Sequence, residues 1–420
     1  MRNDLVVIGL GYVGLPLALE ATRAGLTVTG LDRDPATVTS LNDGVSHVDD
    51  ISNNDVSEML KAHFTATHDE SVIADAAVVV VCVPTPLSPH GGPDLTMVES
   101  ACISISRHLR PGTLVVLEST TYPGTTDEVV RPILESSGLA AGTDFHLAFS
   151  PERVDPGNRL FGIRNTPKVV GGHTPDCTSA AASFYGKFVD EIVQSAGTRE
   201  AEMAKLIENT YRHVNIALVN EMAVFCHELG IDLWNAIDCA ATKPFGFQAF
   251  RPGPGVGGHC IPIDPNYLAH KVRTLGYPFR MVELAQEINT RMPRYVVERA
   301  QQLLDRSGKT LGGATVLLMG VTYKADIADQ RETTARHVVQ RLRALGAEVI
   351  FHDPYVPVWE VDGIPVKAAA GDLIKALASA DLVILLQQHR SYDLDQIEQH
   401  APLLLDTRGS AHAMAHVERL

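Results

Sequence analysis

The sequence predicts an α/β protein built from two Rossmann-like, doubly wound parallel-sheet domains joined by a helical domain with a long central helix. Three observations predict it. Short β-branched apolar runs alternate with helical stretches as far as about residue 195. A run free of Pro and Gly follows from Glu200 to Cys226, and a strand, loop, helix, strand rhythm starts again over 314–355. The expected boundaries are 1–195, 196–300 and 301–420. A chain of 420 residues exceeds the size of one typical core, which fits two or three domains.

In the first domain, Leu5 to Ile8 is a short apolar run typical of a buried parallel strand. Gly9, Gly11 and Gly14 follow as G-x-G-x-x-G around Tyr12 and Val13, and open a helix. The first glycine makes the turn, the second lets a pyrophosphate sit on the helix N-terminus, and the third lets helix and strand pack closely. The next strand, "LTVTGLD", ends on Asp32, at the distance this fingerprint requires for an acid on the ribose. Asp32 favours NAD by repelling a 2′-phosphate; the adjacent Arg33 is the counter-signal for NADP.

Further strands are expected over 76–84, 113–119 and 145–151, separated by helices near 94–109 and 125–137. Strand ends in such sheets face the ligand crevice. That brings "PTP" with Thr85, "STTYPG" with Thr120, and "SPER" with Glu152 and Arg153 toward the nicotinamide.

On the central helix Lys205, Asn209 and Arg212 fall at i, i+4 and i+7, so they share one face. They form either a solvated polar stripe or a grip for an anion or oxyanion, and the helix alone does not decide. The stretch "GPGVGGHCIP" (253–262) then sets four glycines before Cys260. That cysteine is either a nucleophile on a loop another group approaches closely, or an ordinary turn residue. Asp264, four residues on, shares its site if the loop enters a helix. The third domain lacks G-x-G-x-x-G, and its first loop carries Tyr323, Lys324 and Arg331 instead. Side-chain charge there replaces glycine backbone as the means of holding a phosphate.

Composition narrows the function. Hydrophobic content of 45% and charged content of 20% describe an ordinary globular protein. A net charge of −15 argues against a nucleic-acid binder and against a protein of anionic membranes, but leaves room for a small anionic ligand in a local basic pocket. Six cysteines without a CxxC pair fit free thiols in a reducing cytoplasm, with neither a metal site nor a disulfide scaffold. The N-terminus runs straight into the glycine turn without a cleavage site, and no apolar run is long enough to span a bilayer.

The order of "GLGYVGLPLA", "STTYPGTT", "SPERVDPGN", "GPGVGGHCIPIDP" and "YKADIADQRE" closely resembles the nucleotide-sugar 6-dehydrogenases, from Asp4 to about Gly409. The resemblance implies an NAD domain, a helical linker that makes a homodimer or higher oligomer, and a C-terminal domain for the sugar nucleotide. It implies a four-electron oxidation of a sugar CH2OH to a carboxylate, with Cys260 as the nucleophile that captures the aldehyde. Lys205 then matches the lysine that serves the oxyanion or shuttles a proton, with Asn209 beside it. Asp264 and Glu152 match acids that orient or activate water, and Thr120 a hydroxyl near C6. Arg153, Val154, Arg212, Phe250, Arg251, Gly255, Gly258, Tyr323 and Lys324 fall at substrate-binding positions, and Arg331 at one that reaches the cofactor.

Two departures fall near the sugar nucleotide. The usual "DLRESPA" reads "DQRETTA", and "FRPGPG" carries Arg251 where relatives often have an aromatic or glutamine. The substrate nearest the motifs is a UDP-N-acetylhexosamine, with UDP- or dTDP-glucose as the alternative. Two other activities compete: a two-electron hydroxyacid dehydrogenase of the phosphogluconate type, which leaves Cys260 and the third domain unexplained, and a non-catalytic NAD-binding protein.

Overall fold

The computed structural model describes residues 3–88, 92–155, 158, 160–258, 261, 263–369, 371–412 and 414–420. It resolves into two compact units, Met1–Glu208 with Asn266–Pro278, and Asn209–Pro265 with Phe279–Leu420.

The chain begins β1 (Asn3–Ile8), α1 (Gly14–Arg23), β2 (Val28–Leu31), α2 (Pro35–Asn42), α3 (Asn53–Lys61), β3 (Phe64–Thr67), β4 (Ala76–Val81), α4 (Thr96–His108) and β5 (Leu114–Leu117). It continues α5 (Arg131–Glu135), β6 (His146–Phe149), β7 (Lys168–Gly172), α6 (Pro175–Tyr185) and β8 (Ile192–Gln194). These strands make one sheet in the order β3-β2-β1-β4-β5-β6-β7-β8. Strand order reverses between β1 and β4, the switch point at which such sheets open a crevice.

Alternation along the valine-rich strands feeds two cores. Leu5, Val7, Val78 and Val80 pack with Leu15, Leu17 and Ala18 of α1 on one face. Val6, Ile8, Val79 and Val81 pack with Val98, Cys102 and Ile105 of α4 on the other. The pairing is parallel from β3 to β6, but β6 and β7 run antiparallel. The sequence gives no strand signal for β7 or β8, because "KVVGG" starts on a charge and ends on two glycines. The helix expected at 125–137 opens as a π-turn over Thr126–Val130 before α5, where Pro132 removes a backbone donor.

The second half runs α7 (Thr198–Glu228), α8 (Leu233–Ala241), α9 (Asp264–Thr274), α10 (Arg280–Arg306), β9 (Thr315–Met319), α11 (Ala335–Ala344), β10 (Glu348–His352), β11 (Trp359–Val361) and β12 (Ile364–Ala368). It ends α12 (Leu373–Ser379), β13 (Leu382–Leu385), α13 (Leu394–His400), β14 (Leu404–Asp406) and β15 (Val417–Arg419). The second sheet has the order β11-β12-β10-β9-β13-β14-β15, parallel apart from the β11–β12 hairpin. Val296, Val297, Ala300, Leu303 and Leu304 of α10 cover one of its faces. Helix α7 is the predicted central helix, at 31 residues and two residues earlier than expected. Among the described residues no helix is long and apolar enough to cross a membrane.

Candidate active site

The turn after β1 is built for close approach. Gly9 has φ +90°, and a Cβ there would sit 2.9 Å from the Cys82 carbonyl oxygen. A Cβ on Gly14 would fall 1.9 Å from the Gly9 carbonyl oxygen, so only hydrogen lets α1 start this near the strand. Above Gly11 a Cβ would meet nothing within 4 Å, which leaves the helix N-terminus open to a pyrophosphate. Asp32 accepts the Leu10 N–H (2.9 Å) on one oxygen and the Asp34 N–H (3.0 Å) on the other. Both oxygens keep lone pairs for ribose hydroxyls. Arg33 is exposed, Tyr12 reaches Asp49 at 3.4 Å, and Val13 is the residue before α1. These groups fit NAD, which Gly9, Gly11, Gly14 and Asp32 would hold.

The loop after β5 is fastened from α7. Glu202 is buried and accepts the N–H of Gly124 (2.5 Å), the N–H of Thr126 (2.8 Å) and the Thr126 hydroxyl (2.7 Å). Burial pushes its carboxyl up to about 7, against those three donors. Lys205, three residues on and only 9% exposed, holds its ammonium 2.5 Å from Thr120 Oγ1. A lysine on a solvated stripe would point to water, and this one does not. Thr85 donates to the Thr120 carbonyl (2.8 Å), and the Tyr267 hydroxyl donates to the Thr85 carbonyl. The neighbouring Thr121 hydroxyl is buried without a hydrogen-bond partner among the described residues.

Glu152 follows β6. One of its oxygens accepts the N–H groups of Arg153 (2.7 Å) and Val154 (2.5 Å). The other lies 3.7 Å from the buried Lys168 ammonium, which is 3.1 Å from Glu118. The Tyr185 hydroxyl also donates to Glu118. Arg153 turns to Glu208 (2.6 Å) and the Pro167 carbonyl (2.7 Å), and Val154 packs against the core. Sequence reasoning missed Glu118, Lys168 and Glu202. The available signals were a charge at each end of an apolar run and an acid one helical turn before Lys205.

In the second unit Asn209 is 2% exposed and donates to Asp264, which is 3% exposed and starts α9 as expected. The side-chain oxygen of Asn209 accepts from the Arg212 guanidinium. The glycine loop is fixed through amides: Gly253 N–H donates to Asn220 (2.9 Å), Asn220 to Asn289 (2.9 Å), and Asn289 to the His213 carbonyl (3.3 Å). Gly255 has φ +110°, and its Cβ would lie 2.9 Å from the Asn289 carbonyl; Gly258 has φ +90°, and its Cβ would strike the Tyr323 ring at 2.8 Å. A Cβ on Gly257 would lie 2.8 Å from the Glu332 carbonyl oxygen, so other groups lie against three of the four glycines. Cys260 itself lies outside the described residues. Phe250 stacks edge-on against Tyr211 (5.6 Å), and Arg251 pairs with Asp238 and donates to the Trp234 carbonyl (3.2 Å).

The loop after β9 carries Tyr323 and Lys324 and rests on a buried pair. His389 Nδ1 accepts the Asp326 N–H (2.9 Å), so its proton sits on Nε2, 3.0 Å from Asp353. Asp353 also accepts the Val321 N–H (2.7 Å). Arg331 is bound bidentately by Asp329 at 2.9 and 2.7 Å.

A dinucleotide cradle at a switch point, with a desolvated lysine held on a threonine at the next strand end, defines a nicotinamide-dependent dehydrogenase. The chain matches the UDP-glucose/GDP-mannose dehydrogenase family in its NAD binding domain over 3–189, its central domain over 199–291 and its UDP binding domain over 317–413. It belongs to that family and is an NAD-dependent dehydrogenase of nucleotide sugars. It is 37% identical over 354 residues to the UDP-N-acetyl-D-glucosamine 6-dehydrogenase of Pseudomonas aeruginosa, covering 84% of this chain and 83% of that one. The solved UDP-D-ManNAc dehydrogenase of Pyrococcus horikoshii superposes with a TM-score of 0.89 at 31% identity, over 99% of this chain and 98% of that one. A UDP-glucose dehydrogenase from Pyrobaculum islandicum superposes with a TM-score of 0.84 at 26% identity, over 100% and 97%.

Proposed function

We propose that the chain oxidises the C6 CH2OH of a UDP-N-acetylhexosamine to the uronate in two steps. The observation that carries this reading is Lys205 held at Thr120, with Asn209, one turn along α7, bonded to Asp264. NAD, when bound, supplies the hydride acceptor for each oxidation. Lys205 stabilises the oxygen at C6 as negative charge develops there, with Thr120 orienting its ammonium. The Cys260 sulfur then adds to the aldehyde carbon, and the thiohemiacetal loses the second hydride to become a thioester. Glu152 or Asp264 takes a proton from water as it attacks, the C–S bond breaks, and the thiol is restored. Tyr323, Lys324, Arg212, Phe250, Arg251, Gly255 and Gly258 bind the sugar nucleotide, and Arg331 reaches toward the cofactor.

The segment 196–300 acts as the dimerising domain in this reading. Ile207, Tyr211, Leu218 and Phe225 repeat at helical spacing along α7, and each is at least 46% exposed. A second copy of the chain would cover that stripe. The free thiols Cys82, Cys102, Cys177, Cys226 and Cys239 suit a cytoplasmic site of action. UDP- or dTDP-glucose is the runner-up substrate, kept because Arg251 and the "DQRETTA" stretch depart from the family's usual residues near the sugar nucleotide.

The test is NADH release across a panel of sugar nucleotides, with uronate measured in parallel. Two NADH per uronate are expected, and one NADH per product supports the two-electron alternative. Cys260→Ala is expected to make almost no uronate. A wild-type uronate yield from that variant would show that the cysteine is a turn residue.

A further inference from the structure

Lys168 opens β7 with its ammonium inside the first unit, 5% exposed. Around Glu152 the charged and titratable groups are Lys168 from β7, Glu118 after β5, Tyr185 from α6 and the Cys82 thiol after β4. The Arg153 guanidinium is engaged with Glu208 of α7. Lys168 is thus the cation that faces the second oxygen of Glu152. The pair it makes with Glu118 is already neutral, so a purely structural role needs no third charge there. Adding Glu152 gives two acids to one base in a buried cluster, an arrangement that costs stability. Burial raises Glu118, and one of its oxygens has no partner among the described residues. Burial alone would lower Lys168, but Glu118 and Glu152 outweigh it and hold the ammonium charged. Tyr185 fixes the assembly from below, its ring 4.9 Å from the Lys168 nitrogen.

We propose that Lys168, anchored by Glu118 and Tyr185, is a positioning residue whose ammonium faces the Glu152 carboxylate and aims it at the water it activates. This rests on the role given to Glu152 above. A neighbouring cation favours a carboxylate by one to several pH units, and a neighbouring anion does the reverse.

The test is the pH profile of NADH release by the full chain with NAD and UDP-N-acetylglucosamine, or whichever panel member turns over fastest. Lys168→Met is expected to move the acidic limb up by about one unit or more, with rate lost at neutral pH regained in alkali. Lys168→Arg keeps the limb where it is in the wild type. Glu118→Gln moves it down, and carries the test if Lys168→Met does not fold. A lower plateau with an unmoved limb in Lys168→Met and Glu118→Gln overturns the proposal, since that is what a structural pair gives. Glu152→Gln separates the two failures. If it retains wild-type turnover, the base role falls and takes the Lys168 role with it. If it loses turnover while the limb in Lys168→Met stays put, only the Lys168 role falls.

Discussion

The loop after β1 and the loop after β9 leave their sheets at the same kind of place, the C-terminal end of a central parallel strand, yet they are made to hold ligands by different means. The first is nearly bare backbone: Gly9 and Gly14 exist so that carbonyls can lie where a Cβ would be, and the ligand meets a helix N-terminus. The second has no such glycine run. It presents Tyr323 and Lys324, and the buried His389, hydrogen-bonded to Asp353, holds the loop. Shape alone fixes the first loop, whereas a buried polar pair adds to shape in the second, where a Cβ on Gly320 would lie 2.3 Å from the Gln387 carbonyl oxygen. The first therefore breaks on added volume, and the second also on a lost hydrogen bond.

Added volume is expected to give the largest effect. In Gly14→Ala the new methyl would sit 1.9 Å from the Gly9 oxygen, which only a shift of strand against helix can relieve. Overpacking of this kind costs about 1–3 kcal/mol or more. NAD affinity should fall by on the order of a hundredfold. Titration of NAD into the purified variant checks it, and near-normal affinity would mean that the turn is far softer than its contacts imply.

The buried acid clamps of the two units should also titrate in opposite senses. Burial raises Glu202 to about 7, so it binds a proton more tightly folded than unfolded. Stability from that group is full below the ordinary glutamate value and is lost as pH rises toward 7. Asp353 is also pushed up by burial, but bonds from His389 and the Val321 N–H win and hold it low. Its contribution is present above the ordinary aspartate value and disappears in acid. Glu202→Gln removes the first effect. Its melting temperature relative to wild type should therefore climb between pH 5 and pH 8, by on the order of 1–3 kcal/mol in stability. Calorimetry at four pH values suffices, and a flat difference would place the Glu202 proton elsewhere.

What the sequence made legible follows the same division. Short continuous apolar runs and glycine spacing report backbone geometry directly, so β1, the cradle and Asp32 could be read residue by residue. The i, i+4 spacing set Lys205 and Asn209 on one face, but not the direction each would point. Strand-end logic put Thr120 at the crevice and spacing put Asp264 near Cys260, but their roles came only through the family resemblance. Glu118, Lys168, Glu202 and the Asn220–Asn289 link stayed hidden because their meaning is tertiary. Each is a polar residue whose burial depends on a partner dozens of positions away, which a charge beside an apolar run or an acid one turn from Lys205 does not by itself reveal. The antiparallel β7 was missed for a related reason, since two glycines and a buried lysine erase the strand pattern.

The smallest effect should come from the polar pair of the second unit. His389 is fully buried and makes two hydrogen bonds, one from the loop and one to Asp353. Glutamine is near enough in reach to keep one of them, so His389→Gln should lose about one net hydrogen bond, roughly 1 kcal/mol. Because the loop it holds carries Tyr323 and Lys324, the loss should appear as a KM for the sugar nucleotide raised about fivefold, with kcat within about twofold. NAD affinity should move far less, since the cradle belongs to the other sheet. Trp234 and Trp359, both in the second unit, give a fluorescence check that the variant keeps its packing. If NAD affinity and sugar-nucleotide KM worsen together while that fluorescence stays native, the two loops do not act separately, and the contrast between a shaped cradle and a pinned one is wrong.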